Sequence, residues 1–111
     1  GCPTLITLSD FSATAGSRKV ILNWSTSSEI DNAGFNLYRA EAGTEGYVKI
    51  NSALIPAKGS STEGATYKFV DREAKRGQAY AYKLEDVDQN GQTTLHGPVE
   101  ATAGRLFGFK K

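Results

Sequence analysis

Val20, Leu22 and Trp24 alternate with Ile21, Asn23 and Ser25, and this alternation recurs along most of the chain. A period of two places successive side chains on opposite faces of a β-strand, so each run can bury one face and wet the other. Phe35 and Leu37 point one way, and Asn36 and Tyr38 the other. In "QAYAYKLEDVD", Tyr80, Tyr82 and Leu84 share a face opposite Ala81, Lys83 and Glu85. Shorter strands are predicted at residues 4–8 with Phe11, in "GYVKI" (46–50), in "ATYKFVD" and in "TTLHGPVEATA". No segment carries a 3.6-residue stripe, and "DREAKRG" (71–77) has room for one helical turn at most.

Turn residues punctuate these runs. "SATAGS" (12–17) reads as a turn after the first strand, and "IPAKGSSTEG" (55–64) as an exposed loop. Asn90-Gly91 sits between two alternating runs, where both residues tolerate φ > 0, so a hairpin with a type I′ turn is predicted. Seven short strands and no helix imply an all-β fold, a seven-stranded antiparallel sandwich of the immunoglobulin-like kind. The predicted core is Trp24, Phe35, Leu37, Tyr80, Tyr82 and Leu84. A chain of 111 residues suits one domain with one core. The sandwich is expected over 1–103, followed by a tail over 104–111.

Charge and cysteine content narrow the function classes. Thirteen Lys and Arg against twelve Asp and Glu leave a net charge of +1, too little for a global field that grips nucleic acid or an anionic membrane. No apolar run approaches the ~18 residues of a membrane-spanning helix. Cys2 is the only cysteine, which excludes an intramolecular disulfide and a cysteine-rich zinc site. It is expected to be a free or capped thiol; a disulfide to another chain or a lipid attachment is the alternative. The lack of Met is what a processed chain that has lost its initiator would show.

The runs "VILNWSTSSEIDNAGFNLYRAE", "YVKIN", "IPAKGSSTEGATYKFVD", "GQAYAYKLEDVDQNG" and "LHGPV" together resemble the fibronectin type III-like β-sandwich domains of bacterial secreted and surface proteins. The resemblance covers nearly all of residues 4–103. It implies that Trp24 is the core tryptophan. It also implies that Tyr80 is the tyrosine of the corner motif, its hydroxyl bonded to backbone just upstream. Ser27 to Arg39 resembles a subgroup found near the C-termini of large bacterial exported proteins. In architecture, the chain is also similar to the globular subunit of a split type IV pilin, which pairs with a short helical pilin.

Each chemical motif has a structural rival. "DVDQNG" (86–91) fills positions 1, 3, 5 and 6 of a calcium loop, but position 12, which needs a bidentate Glu, is Gly97. Asp86 and Asp88 are therefore expected to brace the turn, with a weak surface calcium site as the alternative. Glu29 and Asp31 could serve acid–base work only if poised across a pocket; they are expected in a polar connection between the second and third strands, satisfying backbone groups. His96 is the only histidine and has no G-x-S-x-G or other nucleophile motif beside it. Gly43, Gly46, Gly59 and Gly64 are spaced as turn glycines, and none opens a helix. No catalytic residue, cofactor or metal is predicted.

Two features point to contact. Tyr38, Tyr47 and Tyr67 are candidates for an outer face, where a row of rings could stack on sugar or dock protein. In the tail, the apolar Leu106, Phe107 and Phe109 stand among Arg105, Lys110 and Lys111, in the manner of an interface anchor with a charged rim. The expected function is a non-catalytic extracellular module of a bacterial surface assembly. Its expected partner is a protein chain: a short helical pilin, with further copies of itself, in a pilus-like filament. A carbohydrate-binding or accessory domain of a larger secreted enzyme is the alternative.

Overall fold

A computed structural model describes residues 6–104. They form β1 (Ile6–Gly16), β2 (Lys19–Glu29), β3 (Asn32–Glu41), β4 (Val48–Lys49), β5 (Ile55–Pro56), β6 (Thr66–Asp71), β7 (Ala79–Asp88) and β8 (Thr93–Thr102), with no helix among the described residues. One sheet has the order β1-β2-β6; the other has the order β4-β3-β7-β8, with β5 also pairing β3. Every pairing between these strands is antiparallel; a single isolated parallel bridge joins Ser17 and Gly104. The two sheets face each other over a single core, a sandwich of the fibronectin type III kind.

The strands number eight where seven were expected, because the edge beside β3 is split. β4 pairs with Tyr38 and Arg39, and β5 with Gly34 and Phe35. Between them Asn51 continues the ladder with its side chain: Oδ1 accepts the Leu37 N–H at 2.8 Å, while Ile50 N–H donates to Leu37 O at 2.9 Å. The Asn51 amide nitrogen donates in turn to Ala53 O and to Asn36 Oδ1, both at 2.9 Å. A buried backbone donator left open here would cost about 1–3 kcal/mol, which explains why a polar side chain is buried at this edge.

Two turns differ from the sequence expectation. "SATAG" is strand, not turn: β1 stays in register with β2 as far as Gly16 opposite Lys19, and Ala13 packs on the core. The reversal falls at Ser17-Arg18, where Arg18 takes φ 60°. The β7–β8 hairpin is not type I′. Gly91 has φ 85° but Asn90 is not left-handed. Gly91 N–H donates to Asp88 O at 3.0 Å and Asp88 N–H to Gln92 O at 2.9 Å. This is a three-residue loop, a turn followed by one left-handed glycine.

Val20, Leu22, Trp24, Phe35, Leu37, Tyr82 and Leu84 are fully buried, with Tyr67 and Tyr80 nearly so. Burial of each such apolar side chain is worth roughly 1.5–3 kcal/mol. Trp24 stacks on Tyr67 at 5.3 Å between ring centres, and Phe35 meets both rings edge-on at 5.6 and 4.8 Å. Asp71 ties the sheets together: Arg39 Nη1 donates to Oδ1 and Oδ2 at 2.8 and 2.9 Å, and the Tyr82 hydroxyl to Oδ2 at 2.8 Å. At the corner before β7, Lys75 N–H donates to the Tyr80 hydroxyl at 2.9 Å, the upstream bond that the corner motif implies. After β8, Gly104 N–H donates to Gly16 O at 2.6 Å and Arg18 N–H to Gly104 O at 3.3 Å. Cys2 and the tail residues Arg105, Leu106, Phe107, Phe109, Lys110 and Lys111 lie outside the described residues.

Candidate functional site

On the outward face of the larger sheet, the register brings four polar and aromatic side chains side by side. Tyr38 on β3 stands opposite Lys83 on β7, and Asn36 opposite Glu85. Glu85 also stands opposite Leu95 on the edge strand β8. Tyr47, just before β4, completes a hollow of about 310 Å³ lined by Tyr38, Tyr47, Lys83, Glu85 and Leu95. Its floor is fixed by hydrogen bonds. Glu85 Oε1 accepts from the Asn36 amide at 2.9 Å and from the Tyr38 hydroxyl at 3.1 Å. Asn36 is held in turn by Asn51. Burial, reinforced by the bond and charge of Glu85, raises the Tyr38 pKa above its ordinary value. The Lys83 ammonium lies 4.5 Å from the centre of the Tyr47 ring, a cation–π contact that orients both. Leu95 is more than half exposed and gives the hollow an apolar rim.

The three expected outer tyrosines separate. Tyr38 and Tyr47 line this hollow, whereas Tyr67 is a core residue on the opposite sheet, with its ring packed on Trp24 and its hydroxyl donating to Glu29 Oε2 at 2.7 Å. The alternation in "ATYKFVD" puts Tyr67 on the same face as Phe69, and only the sandwich decides that this face points inward. A continuous row of three rings is therefore not formed. Lys83, Glu85 and Leu95 were not singled out as site residues from the sequence. The alternation had placed Lys83 and Glu85 opposite the Tyr80 face; their pairing with Tyr38 and Asn36 is a matter of strand register.

Glu29 lies within β2 and not in the polar connection between β2 and β3 where it was expected, though it does satisfy a backbone group, the Gly59 N–H. It is the last residue of β2 and 3% exposed. Its carboxylate accepts from Thr26 Oγ1 at 2.6 Å, Tyr67 OH at 2.7 Å, Gly59 N–H at 3.0 Å and Asn32 Nδ2 at 3.4 Å. Burial pushes its pKa up, but the donors outweigh burial and hold it below the usual 4.5. Gly64 is needed beside this network, since a Cβ there would stand 1.7 Å from Thr26 O. Asp31 is exposed in the β2–β3 turn at φ 55°. The two carboxylates thus share no pocket.

Asp88 braces the hairpin: its Oδ1 accepts from Asn90 N–H and Gln92 N–H, both at 2.9 Å. Asp86 is buried on the inward face, and its Oδ2 lies 2.6 Å from His96 Nε2. Sequence reasoning left His96 as a strand residue near the Gly97-Pro98 bend and missed this partner. The nearest signal was the hairpin itself, which sets β7 and β8 side by side. Among the described residues, no group of three His, Cys, Asp or Glu side chains could hold a metal ion.

The sequence model described as "Fibronectin type III domain SaeA third domain" matches residues 8–104. Among curated proteins, an amylopullulanase of Thermoanaerobacter thermohydrosulfuricus is 29% identical over 87 residues; these are 78% of this chain and 5% of that enzyme. The chain therefore spans a small part of the curated relative it matches. Two solved structures share the fold. A Fn3-like protein from Clostridium thermocellum superposes with a TM-score of 0.60 at 18% identity, covering 91% of this chain and 95% of the other. A β-1,2-glucanase from Parabacteroides distasonis gives a TM-score of 0.64 at 19% identity, covering 94% of this chain and 14% of that enzyme.

Proposed function

Because the chain belongs to the fibronectin type III family, through the domain described as SaeA third domain, we propose that it is a non-catalytic accessory module of a larger extracellular enzyme that acts on carbohydrate. The observation that carries this reading is the alignment with amylopullulanase, in which the matched stretch is a small part of a much longer enzyme. The fold supports it. The sandwich has a fully buried aromatic core and an ion pair tying its sheets, so it suits a rigid body that holds its neighbours at fixed spacing.

This reading takes the place of the filament subunit as the favoured function, since the relatives described above lend the filament no support. Docking through Leu106, Phe107 and Phe109, flanked by Arg105, Lys110 and Lys111, stays a proposal, with the adjoining part of the same enzyme as the partner. Assays of the chain on pullulan, starch and β-1,2-glucan test the non-catalytic role. Reducing-sugar release should equal that of buffer. Release that follows the protein through gel filtration and drops in His96→Ala would overturn the reading.

A further inference from the structure

We propose that the hollow between Tyr38, Tyr47, Lys83, Glu85 and Leu95 binds a neutral saccharide chain; this deepens the accessory-module reading and rests on it. Its chemistry fits that class of ligand. Tyrosine rings and the exposed Leu95 offer apolar surface to the C–H faces of a sugar ring. A carboxylate and an ammonium beside them can accept from and donate to ring hydroxyls. Glu85 is set for this role: its Oε1 is occupied by Asn36 and Tyr38, and among the described residues Oε2 has no bonded partner.

The lining charges select a neutral ligand. One Glu and one Lys cancel, so the hollow offers an anionic or cationic ligand no net counter-charge. A volume of about 310 Å³ lies at the small end of the range for ligand sites, roughly 300–1,000 Å³, enough for a short stretch of a chain that runs on across the open sheet face. Pre-organisation comes from the floor: the Asn51–Asn36–Glu85–Tyr38 hydrogen-bond chain holds the carboxylate and phenol before any ligand arrives.

The test is a backbone amide NMR titration of the full chain with maltohexaose, cellohexaose and a β-1,2-linked gluco-oligosaccharide. At least one should give saturable shifts centred on residues 38, 47, 83, 85 and 95, with a Kd on the order of 1 mM or tighter. Tyr47→Ala and Glu85→Ala should each weaken binding about tenfold, with otherwise native spectra. Tyr38→Phe keeps the ring but frees Glu85, so a smaller loss is expected. An oligogalacturonate, which is acidic, should bind more weakly than the best neutral probe.

The proposal is overturned if all three neutral probes leave the spectrum unchanged. It is also overturned if their shifts fall elsewhere, if natively folded Tyr47→Ala and Glu85→Ala bind like the parent, or if the acidic probe binds best. A hollow that ignores sugars and is instead covered by a neighbouring domain belongs with these outcomes. The hydrolysis assay separates the two readings: absence of binding without sugar release removes this site alone, whereas sugar release by the chain removes the accessory role as well.

Discussion

Glu29 closes β2 at one end of the three-stranded sheet, and Asp71 closes β6 at the other, opposite Val20. Both are only 3% exposed, yet they are compensated differently. Asp71 faces a cation: Arg39 reaches both carboxylate oxygens, with Tyr82 OH and the Glu73 N–H adding bonds. Its partners come from β3 and β7, so the cluster pins one sheet to the other. Glu29 receives only neutral donors, two hydroxyls, a backbone N–H and an amide. It pins the loop before β6 to the end of β2. A full charge partner is thus used where two sheets must hold together, and oriented dipoles where a loop must lie flat on one.

The difference can be broken most forcefully at Arg39. Arg39→Met leaves the buried Asp71 without its cation, and urea unfolding should show a loss of about 3–5 kcal/mol. The double change Arg39→Met with Asp71→Leu, made beside Tyr82→Phe so that no buried hydroxyl loses its acceptor, should recover most of that, because no charge or hydroxyl is then buried unpaired. A combined variant as unstable as the single one would mean that the ion pair itself, and not the avoidance of a stranded charge, matters at this end.

At the other end, Glu29→Ala strands several donors at once and should cost about 2–3 kcal/mol. The loss should appear as faster amide exchange at Gly59 and Ser60, whose N–H groups donate to Glu29 and to Glu63 O. If exchange rises equally at Arg39 and Tyr82, the two ends are one cooperative unit and the contrast between them is false.

Acid sharpens the contrast next. The Glu29 pKa is lowered on folding from 4.5, so its contribution is present above that value and is lost as pH falls through the folded pKa. Stability followed by urea midpoint should therefore decline below about pH 4.5, and Glu29→Gln should flatten that decline. On the alkaline side, burial and then the bond to Glu29 raise Tyr67 from 10 to about 12. Its contribution is complete below 10 and fades as pH rises towards 12. Burial and Asp71 likewise push Tyr82 well above its ordinary value.

The smallest effect is expected at a single neutral bond. Tyr80→Phe removes the acceptor of the Lys75 N–H and should cost about 0.5–1.5 kcal/mol. A cost as large as that of Glu29→Ala would show that the corner is a third anchor on a par with the two carboxylates.

Much of the fold was legible because alternation is a local property. Trp24, Phe35, Leu37, Tyr82 and Leu84 sit on inward positions that a period of two marks directly. The corner role of Tyr80 came from the family resemblance, and its hydroxyl does take the upstream Lys75 N–H. Other features were hidden for physical reasons. The type I′ expectation failed because Asn-Gly permits two loops, and the third residue, Gly91, took the left-handed conformation alone. "SATAG" looked like a turn by composition, but a paired neighbour fixed it as strand. Asn51 bonds a backbone fourteen residues away, which no local pattern encodes. In the candidate site, Tyr38 and Tyr47 were visible as aromatics, while Lys83, Glu85 and Leu95 became part of it only through register.

The sequence by itself determined that this chain is an all-β sandwich, where its apolar faces lie, and that no helix or cysteine framework competes with that fold, since side-chain period and turn residues act over a few positions. Tertiary structure alone decided which outward residues meet and which carboxylates are buried. It also decided that Tyr67 joins the core while Tyr38 and Tyr47 face solvent together. These depend on which strands pair, in what register, and which face of each sheet is covered by the other.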